Sequence, residues 1–268
     1  MITASLVNEL RAKTGLGMMD CKKYLTESAG DLEKAVEMIR KAGVKTSISS
    51  RATGEGRVYV QNAADHKSAA IVEVLCNTDF TAKSETVAAV LKHAAEVALA
   101  GGDAAADAKV KDALVAASQA TGENVVLGRV KVLKSDNGKV GSYLYTVSGK
   151  IGVIASVSGD ASPEVLHDLC VHITAFKPVA LGLTREAVPA ELVEKERGIA
   201  VEEAKATGKP ENIAQKIAEG KVSSFFKERV LPEQEFINPE KFRGSVGDML
   251  KKAGGTLVEY VRVEIGQN

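Results

Sequence analysis

Apolar residues in the first fifty positions recur at helical spacing in three short runs. The first carries Leu6, Val7 and Leu10, opens after Thr3 and stops at Gly15. The second can be capped by Asp20 and stops at Gly30. The third carries Leu32, Ala35, Val36 and Ile39, opens after Asp31 and stops at Gly43. Threonine and aspartate offer an acceptor to the free N–H groups at a helix start. Glycine tolerates the left-handed backbone that often ends a helix. The pattern predicts a compact three-helix domain over residues 1–50, followed by a polar Gly/Ser/Thr-rich linker over 45–55.

The period then changes. Residues 57–62 and 68–77 read as paired strands joined by the polar turn Ala64-Asp65-His66-Lys67, with Ile71, Val72, Val74 and Leu75 supplying apolar, largely β-branched character. Helices follow over 84–100 and 107–120, with Gly101-Gly102 between them, and then a strand over 125–134. The pattern restarts here. Gly141-Ser-Tyr-Leu-Tyr-Thr resembles Gly56-Arg-Val-Tyr-Val-Gln, and Lys150-Ile-Gly-Val-Ile-Ala-Ser-Val resembles Ser68-Ala-Ala-Ile-Val-Glu-Val. A helix over 163–176 follows the second pair, so the core reads as a duplicated strand–strand–helix unit.

Residues 189–229 carry two amphipathic helical runs separated by Thr207-Gly208-Lys209-Pro210. Leu192 and Ile199 lie seven apart and Ile213 and Ile217 four apart, which predicts a narrow apolar seam in an antiparallel helical hairpin. A short helix over 246–253 and a last strand over 256–265 close the chain, the strand returning to the sheet. The expected class is α+β: a three-helix N-terminal domain (1–50), a duplicated αβ core with antiparallel sheets (56–140, and 141–186 plus 230–268), and an inserted hairpin (187–229).

Composition narrows the function. Hydrophobic residues make up 45% of the 268 and aromatics only 4%, so the cores must be aliphatic. Lys and Arg number 35, as do Asp and Glu, which argues against phosphate backbone as the principal ligand. Cys21, Cys76 and Cys170 are too scattered for a disulfide framework or a Cys-x-x-Cys metal site. His167 and His172 are five apart, off the spacing that places two ligands on one helix face. No phosphate-binding loop, dinucleotide fingerprint or nucleophile elbow is present. The expectation is a binding protein with no cofactor or metal of its own, not an enzyme. The N-terminus lacks a secretory signal pattern and no apolar run is long enough to span a bilayer, so a cytosolic location, or the equivalent organellar one, is expected.

Two stretches resemble the elongation factor Ts family. One is Thr14-Gly-Leu-Gly-Met-Met-Asp-Cys-Lys-Lys-Tyr-Leu-Thr-Glu with Gly30-Asp31, similar to the signature between the first two helices of that family's ubiquitin-associated-like domain. The other is Asn77-Thr-Asp-Phe-Thr-Ala-Lys-Ser-Glu, similar to its Thr-Asp-Phe-Val-Ala motif. The segments around Lys216–Gln234 and Val246-Gly-Asp-Met-Leu also fit. Thr81 departs from the usual Val, Ser84 from a frequent Asn, and Arg57 from an apolar residue. The resemblance implies a guanine nucleotide exchange factor that binds elongation factor Tu and promotes GDP release. Asp79, Phe80, Thr81 and Ala82 would disturb the partner's magnesium site, with Met18, Met19, Ile151, Gly152 and His172 as further contacts. Some family members add a C-terminal helical module that touches the partner; the present sequence runs to Asn268.

Position alone reads these residues more plainly. Phe80 would be core and Asp79 an N-cap. Met18 and Met19 sit on an inter-helix loop and fill the bundle or meet a partner; Ile151 is strand core, Gly152 a bulge or turn, His172 a core histidine. A homodimer through the hairpin stays open. Two other function classes also stay open: a nucleic-acid-binding adaptor using the lysines of residues 1–50, whose acidic residues offset them, and a small-molecule enzyme with its site in the αβ core.

Overall fold

A computed structural model describes residues 2–41, 52–208 and 210–267. Gly43 and most of the expected 45–55 linker lie outside the described residues. Helices α1 (Ala4–Thr14), α2 (Met18–Glu27) and α3 (Leu32–Lys41) form the N-terminal domain. Thr3 caps α1 by accepting from the Leu6 N–H, and Gly15 ends it in the left-handed conformation. Asp31 accepts from the Glu33 and Lys34 N–H groups at the start of α3. Asp20 is not the cap of α2. The cap is Gly17, three residues earlier, and Asp20 sits in the first turn of the helix, where a carboxylate is favoured by the helix dipole. Leu10, Leu25 and Ala35 meet in the middle of this domain with Val7, Leu16, Cys21 and Ile39.

Two three-stranded antiparallel sheets form the core. In the first, β1 (Glu55–Asn62) and β3 (Val126–Lys134) flank β2 (Ser68–Cys76). After β2 come a single-turn helix, α4 (Asp79–Ala82), and the long helices α5 (Glu85–Leu99) and α6 (Ala108–Thr121). In the second sheet, β4 (Gly138–Leu144) and the last strand, β6 (Gly255–Glu264), flank β5 (Ile151–Gly159); α7 (Pro163–Ala175) follows β5. The repeat seen in the sequence is thus a repeat of sheets. β4 starts at Gly138, so the expected unit boundary at 140/141 falls inside a strand.

The strand period assigns the faces. Val72 and Val74 point outward into a core shared with Val87, Leu91 and Ala94 of α5. Val153, Ala155 and Val157 point the other way, toward Leu166 and Leu169 of α7 and Leu250 of α10 (Val246–Lys252). The inward residues Val58, Ile71, Val140, Ile154 and Val263 fill the space between the sheets. The result is four layers: helix, sheet, sheet, helix. Glu73 is a charged residue on the inward side, 3% exposed at a bulge in β2. Arg129 satisfies it with two guanidinium hydrogen bonds, 2.7 and 2.8 Å, and its own backbone N–H. Burial alone would raise that carboxyl; the hydrogen bonds and the charge of Arg129 hold it below its ordinary value.

The inserted hairpin comprises α8 (Ala190–Ala206) and α9 (Glu211–Arg229), lying between α7 and α10 in the chain. Its seam differs from the expected one. Ala200, Ala204, Ala214, Ala218 and Val222 are buried, whereas Leu192, Ile199 and Ile213 are about 40% exposed and Ile217 is intermediate. Alanines let the two helices approach closely, and the larger side chains are left outside the seam.

Candidate partner-binding site

The segment after β2 is built by two caps in succession. Thr78 is extended, and its hydroxyl accepts from the Thr81 N–H to start α4. Ser84 does the same for Val87 at the start of α5. One turn fits between the caps, and it is two-sided. Thr81 and Ala82 are buried, Ala82 against the α5 core. Asp79 and Phe80 face out, and Phe80 is 84% exposed, the most exposed large apolar side chain among the described residues.

The turn is held from behind by a residue that sequence reading missed. Glu123, just past α6, accepts from the backbone N–H groups of Asn77 and Thr78 at 3.1 and 3.0 Å and from the Thr78 hydroxyl at 2.6 Å. Partial burial pushes its carboxyl up, but these bonds and one from Thr81 pull it further, to a value below the ordinary one. Asn77 completes the frame: its Oδ1 accepts from the Asn124 N–H at 2.8 Å and its amide donates to the Ala52 carbonyl at 2.6 Å. Asp79 is therefore not the N-cap of α5. Its carboxylate pairs with Lys83 at 2.7 Å, and that hydrogen bond, helped by the charges of Lys83 and Lys150, lowers its pKa.

Lys150 ties a second surface to this one. Its ammonium lies 2.5 Å from Glu55 at the start of β1, and the Gly149 carbonyl accepts from the Val58 N–H. The turn between β4 and β5 is thereby fixed at the same end of the molecule as Phe80. It presents Val147, 82% exposed, and Tyr145, 38% exposed. No local pattern in the sequence marks these two residues.

The other expected contacts divide. Met18 and Met19 are 55% and 76% exposed, but they lie in the first turn of α2, not on a loop. Ile151 opens β5 and is half-buried. Gly152 offers no surface. It is a regular strand residue between the sheets, and a Cβ there would meet Val58 Cγ1 at 2.7 Å and Ile71 Cδ1 at 3.1 Å. His172 is fully buried on α7, stacked on Phe236. Its Nε2 lies 3.0 Å from Gln234 Oε1, and its Nδ1 accepts from the Ile237 N–H at 3.1 Å. Gly152 and His172 are thus both buried in this structure.

Of the lysines of the first domain, Lys13 pairs with Glu9 and Lys34 with Asp31. Among the described residues, no group of three His, Cys, Asp or Glu side chains is arranged to hold a metal ion. No helix among them is long and apolar enough to cross a membrane.

Comparison with known proteins gives a consistent result. The sequence model of the family described as Elongation factor TS matches residues 77–267. The elongation factor Ts of Methylococcus capsulatus is 40% identical, with 99% of this chain and 92% of that protein aligned. The elongation factor Ts of Gluconobacter oxydans is 38% identical over the same shares. That of Chlorobaculum parvum is 37% identical, with 99% of each chain aligned.

Proposed function

Since the chain belongs to the elongation factor Ts family, and so to the translation elongation factors, we propose that it is the guanine nucleotide exchange factor of elongation factor Tu. The observation that carries this reading is the state of Phe80. An apolar ring 84% exposed on a turn held by Thr78, Asn77 and Glu123 is a poor arrangement for a protein alone. It is a good one for an anchor, because a rigidly presented ring can be buried whole in a partner pocket.

The mechanism is a wedge. Phe80 enters the nucleotide domain of elongation factor Tu, and Asp79, already ionised beside Lys83, meets a partner donor or a helix end. Thr81 and Ala82 are the buried footing that keeps the wedge from folding back. A magnesium ion bridging nucleotide phosphates and protein ligands supplies much of the grip on GDP, so displacing a nearby partner helix releases it. No covalent step is required of this chain, which acts as a binding protein and not as an enzyme. Binding of the factor and of GDP then oppose one another, each weakening the other by the same factor. Met18 and Met19 form a second apolar contact on the first domain, and Tyr145 and Val147 extend the surface around Phe80.

The test is release of a fluorescent GDP analogue from purified elongation factor Tu in excess unlabelled GDP. Release should accelerate and saturate with added chain. An unchanged rate at all concentrations, with complex formation confirmed separately, would overturn the exchange reading.

A further inference from the structure

Gln234 lies between the end of the hairpin and α10, is 1% exposed, and uses every polar group it has. Its side-chain N–H₂ donates to the Glu228 carbonyl in the last turn of α9 at 2.7 Å and to the Pro178 carbonyl after α7 at 3.2 Å. Because both amide hydrogens go to carbonyls, Oε1 is the acceptor, and His172 Nε2 must carry the proton that fills it. Nδ1 of the same ring is then free to accept from the Ile237 N–H, as observed. The backbone of Gln234 closes the remaining links: its N–H donates to Val230 and Leu231, and its carbonyl accepts from Val246 at the start of α10. One side chain and one imidazole thus join α7, the 178 segment, the last turn of α9 and the segment carrying Ile237, which is 40% exposed.

Apolar packing at the base of the hairpin comes from Val188, Val230 and Leu231, which are buried but fix no hydrogen-bond geometry. The hairpin's seam is internal to α8 and α9. At its base the other ties lie nearer the surface or run along the backbone: the short pairing of Gly182 with Val230, the Leu181 N–H donating to the Arg229 carbonyl, Arg229 donating to the Val179 carbonyl, and the exposed Arg185, which pairs with Glu233 and lies over the Phe226 ring. Buried, fully satisfied polar networks specify one geometry more sharply than apolar packing does. A glutamate at 234 would set a carboxylate against two carbonyls, and an apolar residue would take this partner from His172 Nε2 and from the Glu228 and Pro178 carbonyls.

We infer that Gln234 is a positioning residue: through His172 it sets the direction of the helical hairpin and the placement of the Ile237 segment relative to the Phe80 end of the molecule. The functional half of this inference rests on the exchange reading above. Contacts made by the hairpin side of the molecule contribute affinity, while Phe80 contributes the release step.

The test compares Gln234→Met with Leu231→Ala, a neighbouring deletion at a fully buried apolar site that leaves the polar relay intact. Spin labels are placed at Lys109→Cys on α6 and Gln215→Cys on the hairpin, the three native thiols being buried. Gln234→Met should broaden or shift the inter-label distance distribution, and Leu231→Ala should not. In the GDP-release assay, Gln234→Met should raise the concentration giving half-maximal acceleration by about tenfold while the maximal rate holds. A distance distribution unchanged in Gln234→Met, or identical changes in the two variants, would overturn the inference whether or not the chain exchanges nucleotide. Nitrogen-15 shifts of His172 in the unaltered chain serve even if a variant does not fold. An Nε2–H tautomer with a protected Ile237 amide is expected, and an Nδ1–H tautomer would refute the relay.

Discussion

Phe80 and His172 are both singled out by resemblance as partner-facing, and the structure treats them in opposite ways. Phe80 is an apolar ring placed in water, with the hydrogen-bonding capacity of its surroundings spent on fixing the turn beneath it. His172 is a polar ring placed in the core, with both nitrogens partnered and aromatic rings on either side. Each violates the ordinary distribution of apolar inside and polar outside. The surface violation costs the monomer little and, on the proposed function, serves a partner. The buried one is costly unless satisfied, and so acts on the molecule's own geometry. On the proposed function, a residue that matters to binding need not touch what is bound.

Stability measurements break or sharpen this contrast. His172→Ala should cost about 3 kcal/mol in urea denaturation, since it leaves a cavity and strands Gln234 Oε1 and the Ile237 N–H. Burial holds the His172 imidazole below its ordinary 6.5. The unfolded chain therefore takes up a proton that the folded chain refuses. Stability from this group is present above pH 6.5 and is lost as pH falls through the folded-state value. The corresponding slope should disappear in the His172→Ala variant.

Gly152→Ala comes next, at about 1–3 kcal/mol, because the new methyl must push Val58 and Ile71 apart between two sheets. A cost below 0.5 kcal/mol would mean that the sheets separate easily there. Glu123→Ala should cost about 1 kcal/mol, since the carboxylate is only partly buried and water replaces some of what is lost. Its main effect should be local, with faster amide exchange at Asn77 and Thr78. The Glu123 carboxyl is held below its ordinary 4.5, so its contribution is present above that pH and fades as pH falls through the lowered value. Phe80→Ala should change stability least, by under about 0.5 kcal/mol.

Much of the architecture is legible along the chain because it depends on local chemistry. Thr3, Asp31, Ser84 and Asp107 stand where helices begin, and Gly15 and Gly122 where they end. The sheet repeat is visible because both units alternate apolar residues in the same order. The hairpin is visible as two helices, but its seam is not. Large apolar residues at Leu192 and Ile199 satisfy the spacing of a seam, yet close approach is made by Ala200, Ala204, Ala214 and Ala218, which composition does not distinguish from filler. The sequence puts Met18 and Met19 on a loop because Asp20 offers a better cap than Gly17; the helix starts at Met18 all the same.

The site is legible only in part, and for a different reason. The Asp79-Phe80 pair stands out by resemblance, but periodicity cannot say that Phe80 faces out. Glu123 is 46 residues from Asn77, and Gln234 is 62 from His172. Partners brought together only by the sheet packing leave no local trace. Tyr145 and Val147 read as the end of a strand, and only the bonds from Lys150 and Gly149 to β1 bring them to the Phe80 end.

The most direct test of the account is the rate of GDP-analogue release from elongation factor Tu at saturating Phe80→Ala chain, with melting of the same variant as control. The maximal rate should be lower by about 100-fold, the effect of removing an interface anchor, in a protein that melts like the parent. An undiminished maximal rate would contradict it, and the release step would then belong to another part of the surface.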